Sequence, residues 1–339
     1  MEKIVLALSG GVDSAVAVHL LQKQGYEVYG YTFVTGDDEE KRRSIVDDAA
    51  TVADHFGISH YVEDIAAEFE DVIVSYFADR YFSAKTPNPC VYCNKMMKFP
   101  KLLAYADSLG IDKVATGHYV AMDNGRILRA EDKRKDQSYV LSLLPEEWYS
   151  RFVFPLGTFE KPEIRQIAEE IGLPVAHKED SQEICFIPND DYKAFLTTHY
   201  PHRFVPGEFK DTEGKVLGKH KGLPFYTIGQ RRGIGLAFGS PKYVVSLNGA
   251  ENVVVIGDQK DLYTAECFVK DVNLVGDVGP AFDCTVKIRY LSDPVPVKAE
   301  LLENGRCHIV FAEPQKSVTP GQYAVFYNGE QLLGGGEIE

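Results

Sequence analysis

The sequence predicts an α/β fold, a doubly wound parallel sheet, as far as about Pro201, with small β-rich domains behind it. Three observations carry this reading. Short apolar runs alternate with longer helical patterns, a glycine-rich turn sits at the first strand–helix junction, and composition changes after Pro201. Residues 3–8 read as a buried strand, and residues 15–24 as a helix closed by Gly25 at a left-handed stop. Residues 28–34 form the next expected strand, the acidic residues 36–40 a solvated loop, 44–56 a helix before Gly57, and 59–62 a strand. Residues 114–118 read as a further buried strand that runs out into a loop. Beyond Pro201, Gly, Pro and Asn punctuate short Val/Tyr/Phe-rich runs at 243–247, 253–256, 284–290, 306–311 and 323–327, with no amphipathic helix among them. That spacing suits small β modules or barrels.

Composition bounds what such a chain can do. Its 339 residues, 45% hydrophobic and 25% charged, exclude wholesale disorder, and length alone gives a prior of roughly 2.3 domains. No apolar run approaches the roughly 18–20 residues of a membrane span. The N-terminus enters the first strand without a signal-peptide pattern. Six cysteines in a chain this long are no disulfide framework. The expected compartment is therefore a reducing cytoplasm. With 36 Lys plus Arg against 50 Asp plus Glu, the formal charge is −14, which on its own argues against a nucleic-acid partner.

The motifs argue otherwise. Ser9-Gly10-Gly11-Val12-Asp13-Ser14 lies between a strand and a helix. Two glycines allow a tight turn and bring backbone N–H groups close to a ligand; the helix start adds its positive end and the serines add hydroxyls. A bare Gly-Gly turn serves equally to end a strand, but six such residues at this junction describe an anion cradle. No Lys-Ser or Lys-Thr closes it, so it is not a Walker A loop, nor is it GxGxxG. SGGxDS resembles the PP-loop of the ATP pyrophosphatases. That resemblance implies ATP held by Ala7, Leu8, Ser9, Gly10, Gly11, Val12, Asp13 and Ser14, with Asp13 helping to hold Mg²⁺. Strand ends beside the loop point to Phe33 and Gly117 for the rest of the nucleotide.

Cysteines supply the second motif. Cys90 and Cys93 form Cys-x-x-Cys in a segment stiffened by Pro87 and Pro89 and followed by Lys95 and Lys98, cations that favour thiolate. Cys185 stands apart in Asp-Ser-Gln-Glu-Ile-Cys-Phe-Ile, residues 180–187. One Cys-x-x-Cys is also half of a structural zinc site, yet no second pair has suitable spacing. Cys267, Cys284 and Cys307 read as simple buried thiols.

Taken in order along nearly the whole chain, the motifs resemble the bacterial tRNA-specific 2-thiouridylases, the MnmA/TrmU family of the PP-loop superfamily. The matching blocks are SGGVDS, TPNPC-x-x-CN-x-x-x-KF (86–99), ATGHY (115–119), KDQSY (135–139), FPLG (154–157), DSQEICFI (180–187), YTIGQRRGIG (226–235) and TPGQYAVFYNGE (319–330). The resemblance implies an adenine nucleotide alpha hydrolase-like catalytic domain at 1–202, a small central tRNA-binding domain at 203–262 and a C-terminal β-barrel at 263–339. It also implies a reaction: ATP adenylates O2 of the wobble uridine, position 34 of the tRNAs for Lys, Glu or Gln. A persulfide on Cys185, loaded by a sulfur-carrier protein or a cysteine desulfurase, then gives 2-thiouridine, with Cys93 as nucleophilic partner.

Contacts to tRNA or the target base are implied for Asn88, Pro89, Cys90 and His118, for Lys135, Asp136 and Gln137, and for Arg289, Tyr290 and Gln322. Basic clusters at Lys95/Lys98/Lys101, Lys133-Arg134-Lys135, Lys219-His220-Lys221 and Arg231-Arg232 would form strips that admit RNA to an acidic body. One departure stands out: Cys90 occupies a position where familiar members carry an acid/base Asp. Cys90, Cys93 and Cys185 together could instead ligate a [4Fe–4S] cluster as the sulfur carrier. A non-catalytic tRNA-binding relative is a further alternative, as is an amidating synthetase, for which the chain shows no ammonia source.

Overall fold

The computed structural model describes residues 1–36, 38–178 and 184–339. The chain divides into two compact units, the first from Met1–Ile73, Cys90–Gln182 and Glu330–Leu332, the second from Val74–Pro89, Glu183–Gly329 and Leu333–Glu339.

In the first unit β1 (Glu2–Ala7), β2 (Tyr26–Val34), β3 (Ser59–Asp64), β4 (Lys113–Ala115) and β7 (Phe152–Val153) form one parallel sheet in the order β3-β2-β1-β4-β7. Ile4, Leu6 and Leu8 share a core with α1 (Val12–Lys23), α2 (Glu39–Phe56) and the helix Lys161–Glu170. Tyr31 points to the other face of β2, since successive side chains alternate. There Tyr105, from the helix Phe99–Ser108, stacks on it at 4.9 Å. Helices thus cover both faces, as the alternating pattern predicted. A hairpin of β5 (Val120–Asp123) and β6 (Arg126–Arg129) extends the unit, with Gln331 pairing to Leu128.

Two local readings need correction. Glu39 and Glu40 are not loop but the first turn of α2, because Asp38 caps the helix by accepting from the Glu40 and Lys41 N–H groups, each at 3.0 Å. Acidic residues there are favoured by the helix dipole as much as by solvent. The expected strand at 114–118 is only β4; from Thr116 the chain leaves the sheet but stays buried, with the Thr116 hydroxyl 2.7 Å from His118 Nδ1.

The second unit contains a four-stranded sheet in the order β10-β11-β8-β9, made by β8 (Gly207–Asp211), β9 (Val216–His220), β10 (Tyr243–Asn248) and β11 (Val253–Gly257). It also contains a barrel of β12 (Tyr263–Leu274), β13 (Ala281–Lys287), β14 (Val295–Leu302), β15 (Arg306–Lys316), β16 (Tyr323–Asn328) and β17 (Gln331–Ile338). Antiparallel pairing of β12 with β17 closes it. The barrel is filled by Val269, Val286, Ile309, Phe326 and their neighbours. Cys267, Cys284 and Cys307 lie among these residues, and burial pushes their thiols up to about 12, 12 and 11. Cys307 is the buried core thiol expected, whereas Cys267 and Cys284 are half-buried and pack against that core. No helix among the described residues is long and apolar enough to cross a membrane.

Candidate active site

Strand order reverses between β1 and β4, whose following segments leave a crevice at their carboxyl ends. The Ser9–Ser14 loop occupies it. Gly10 has φ +72°, and a Cβ there would stand 2.5 Å from Asp48 Cβ, so α2 and the turn together require glycine. The Ser14 hydroxyl donates to the Gly11 carbonyl at 3.0 Å and accepts from the Ser9 N–H at 3.2 Å, which folds the loop over the start of α1. The N-cap of α1 is Gly11, which has no side chain with which to cap it. The first-turn amides therefore face the crevice as an anion site. Gly117 lies against the same turn: a Cβ on it would be 3.3 Å from Ser14 N and 3.4 Å from the Asp13 carbonyl carbon. Phe33, half-buried near the end of β2, completes the set; all the residues assigned to ATP by sequence stand at the carboxyl edge of this one sheet.

Asp13 joins that loop to a second group. Its Oδ1 accepts from the Tyr119 hydroxyl at 2.7 Å and from Lys161 Nζ at 2.7 Å. The Tyr119 N–H donates in turn to Gln137 Oε1 at 2.9 Å, and the Gln137 N–H to the Tyr119 carbonyl at 2.9 Å. Asp136 beside it is buried; its carboxylate accepts from the Ala130 N–H at 3.1 Å and from the Ser138 hydroxyl at 3.0 Å, with Arg129 Nε at 3.4 Å. As placed, Asp136 shapes its segment rather than offering a carboxylate outward. His118 is also buried, stacked on Phe99, and burial holds its imidazole well below its ordinary titration range. It is a neutral hydrogen-bonding group, not a cation. Lys135 is half-buried nearby in sequence.

The paired cysteines sit on one helical run. The helix Pro89–Cys93 passes through a π-helical turn at Asn94–Lys98 into Phe99–Ser108. Such a turn changes which face each residue presents and often marks a functional site. Cys90 is exposed and Cys93 half-buried. Asn94, 2% exposed, donates from Nδ2 to the Val140 carbonyl at 3.0 Å and anchors the run just after Cys93.

In the second unit Cys185 is exposed while its neighbours are held. Ile187 is buried and Phe186 meets Phe77 edge-on at 5.3 Å. Residues 180–183 of that block lie outside the described residues. No group of three or more His, Cys, Asp or Glu suited to a metal ion occurs among the described residues.

The remaining predicted contacts cluster within the second unit. Gln322 Nε2 donates to the Thr86 carbonyl at 2.8 Å, and the Thr86 N–H to the Pro320 carbonyl at 2.9 Å, which fixes the approach to Asn88 and Pro89. A Cβ on Gly321 would stand 2.9 Å from Thr86 N, so the two segments touch backbone to backbone. Arg289 Nη2 donates to the Ser317 carbonyl at 2.7 Å and the Thr319 hydroxyl at 3.0 Å, supporting the same loop; Tyr290 lies half-buried next to it with Lys287 Nζ 5.8 Å from its ring.

Several members of the basic strips are already engaged. Lys101 pairs with Glu63 and Glu68, Lys133 with Glu330, and His220 is buried against the Asn252 carbonyl and the Gly222 N–H. Lys219, Lys221, Arg231 and Arg232 are exposed. The reading of the sequence missed Lys161 and gave Tyr119 no role. The local signal for Lys161 was a lysine opening a helix in Phe-Glu-Lys-Pro-Glu, where the dipole disfavours a cation.

Three domain families match in order: the tRNA methyl transferase HUP domain at 2–189, the tRNA methyl transferase PRC-barrel domain at 193–258, and the aminomethyltransferase beta-barrel domain at 264–338. A protein of Heliobacterium modesticaldum named tRNA-specific 2-thiouridylase MnmA is 44% identical over 99% of this chain and 92% of its own. One of the same name from Carboxydothermus hydrogenoformans is 42% identical over 100% of this chain and 98% of its own. Among solved structures, a 4-thiouridine synthetase in complex with RNA and ATP resembles 52% of this chain and 43% of its own at 23% identity, TM-score 0.40.

Proposed function

Since the chain belongs to the tRNA-specific 2-thiouridylase family, we propose that it converts the wobble uridine of tRNA to 2-thiouridine, using ATP and a cysteine persulfide. The observation that carries this reading is the match to relatives of that name over essentially the whole chain. The tRNAs for Lys, Glu and Gln are the proposed substrates.

The residues support each step. The Gly10 and Gly11 amides and the start of α1 form a site for the polyphosphate of ATP, where charge develops as O2 of the uridine attacks the α-phosphorus and pyrophosphate leaves. Asp13, in the first turn of α1 at the rim of that cradle, is the carboxylate that would hold Mg²⁺. Mg²⁺ bound there would neutralise phosphate charge. Adenylation turns a poor leaving oxygen into AMP. The terminal sulfur of a Cys185 persulfide then attacks C2 and AMP departs, which leaves the base linked through sulfur to Cys185. A Cys93 thiolate attacks the Cys185 sulfur, releases the thiolated base and forms a disulfide that a thiol reductant reopens. The exposure of Cys185 beside well-packed neighbours suits loading by a second protein.

The test is purified protein with unmodified tRNA, ATP, Mg²⁺ and a persulfide donor. 2-Thiouridine formed in step with AMP supports the reading; full activity after changing both Cys93 and Cys185 to Ala removes the relay.

A further inference from the structure

β3 reaches the nucleotide loop through side chains. In the register of the sheet, Leu6 of β1, Gly30 of β2 and His60 of β3 stand in one row. Gly30 leaves room across β2: a Cβ on it would stand 3.1 Å from Leu8 Cδ2 and 3.4 Å from His60 Cδ2. The His60 ring uses that room, its Nε2 2.8 Å from the hydroxyl of Thr32, which is 2% exposed. The same hydroxyl lies 2.5 Å from the Leu8 carbonyl. A carbonyl only accepts, so Thr32 donates its single proton to Leu8 and must accept from His60. Burial holds the His60 imidazole below its ordinary titration range, and a neutral ring has one N–H; that proton is therefore on Nε2. The Leu8 carbonyl shares a peptide plane with the Ser9 N–H, which donates to Ser14 Oγ at 3.2 Å, and the Ser14 hydroxyl donates to the Gly11 carbonyl at 3.0 Å. Every donor in this series points the same way, from β3 to the glycine turn, and such a series strengthens its own members.

We infer that His60 is a positioning residue for the polyphosphate of ATP: acting through Thr32, it fixes the Leu8–Ser9 peptide plane and so the aim of the amides in the glycine turn. The inference rests on the proposed ATP site. Pairing of β1 with β2 ends at Ala7, so the Leu8–Ser9 plane is where the chain leaves the sheet for the cradle. Without the Thr32 hydroxyl the carbonyl of buried Leu8 loses a donor at that point, and the plane turns to recover one. Without an N–H at position 60 the Thr32 hydroxyl is no longer held toward Leu8. Adenosine carries no phosphate and does not read that plane.

Isothermal titration of the full chain with α,β-methylene-ATP and Mg²⁺, and separately with adenosine, tests this on wild type and four variants. Thr32→Val and His60→Leu remove the hydroxyl and the N–H; Thr32→Ser and His60→Gln keep a donor at each place. The first two should bind the analogue about fivefold more weakly, the scale of one net hydrogen bond, and the second two within about twofold of wild type. Adenosine should bind all five proteins alike. Equal analogue affinities throughout overturn the inference. So do equal losses in Thr32→Val and Thr32→Ser, which would make packing the cause, and parallel losses of analogue and adenosine, which would make the residues merely structural. A second measurement needs no variant: nitrogen NMR of wild type with labelled histidine, at a pH where the ring is neutral, should show His60 protonated on Nε2. The Nδ1-protonated tautomer overturns the inference whatever the titrations give. A wild type that binds no analogue overturns the ATP reading itself, and the inference with it.

Discussion

Tyr119 donates its hydroxyl to Asp13 Oδ1 at 2.7 Å while its backbone N–H donates to Gln137 Oε1 at 2.9 Å. One residue thus ties the nucleotide loop to the segment expected at the target base. Tyr119→Phe keeps the buried ring and removes one hydrogen bond, so stability should fall by only about 1 kcal/mol. The tRNA-dependent rate of AMP formation should fall about tenfold, equivalent to 1.4 kcal/mol on the barrier. Thermal melting and single-turnover AMP release check the two halves; an unchanged rate would make the bond incidental.

Glycine at position 10 is required twice over, by its φ of +72° and by Asp48 Cβ at 2.5 Å. Gly10→Ala should cost about 1–3 kcal/mol in stability from backbone strain alone, with further loss from the clash. Gly117→Ala meets only 3.3 Å contacts and should be milder in melting. Titration with an ATP analogue should show weakened binding in both.

The barrel thiols have values pushed up to about 12, 12 and 11 by burial. A raised thiol value means that the folded chain favours the proton. Stability is then fully present below about 8.5, the unfolded thiol value, and declines as pH rises through the folded ones. Alkylation at pH 8 with peptide mapping should label Cys90 and Cys185, both exposed, and leave Cys267, Cys284 and Cys307 unmodified until the chain unfolds. Labelling of all six in the native protein would contradict this.

Gln322 and Arg289 hold the loop that touches Thr86. Gln322→Ala or Arg289→Ala should weaken tRNA binding several-fold without changing ATP affinity, measured by filter binding. With a formal charge of −14 and RNA admitted only at local basic groups, binding should also weaken as salt rises. Salt-insensitive binding would refute that electrostatic picture.

Local sequence carried much of this fold. Alternating strands and helices, the Gly25 and Gly57 stops and the glycine loop each follow from nearest-neighbour chemistry, and all are present. What it did not carry depends on distant partners. Lys161 meets Asp13 across 148 positions and Gln322 meets Thr86 across 236, so no local pattern announces either contact. Asp136 and His118 were legible as polar residues in family blocks, but their burial is a tertiary fact. Net charge was the least informative observation, because it averages over faces that a partner never meets.

The central claim is that this chain thiolates tRNA through Cys185. Unmodified tRNA should be incubated with ATP, Mg²⁺ and protein preloaded with labelled persulfide sulfur, without added iron, and its nucleosides resolved by mass spectrometry. Labelled 2-thiouridine at the wobble position, absent with Cys185→Ala and formed by protein free of iron and acid-labile sulfide, is the predicted result. Thiolation that persists in Cys185→Ala, or that appears only in iron-loaded protein, would contradict it.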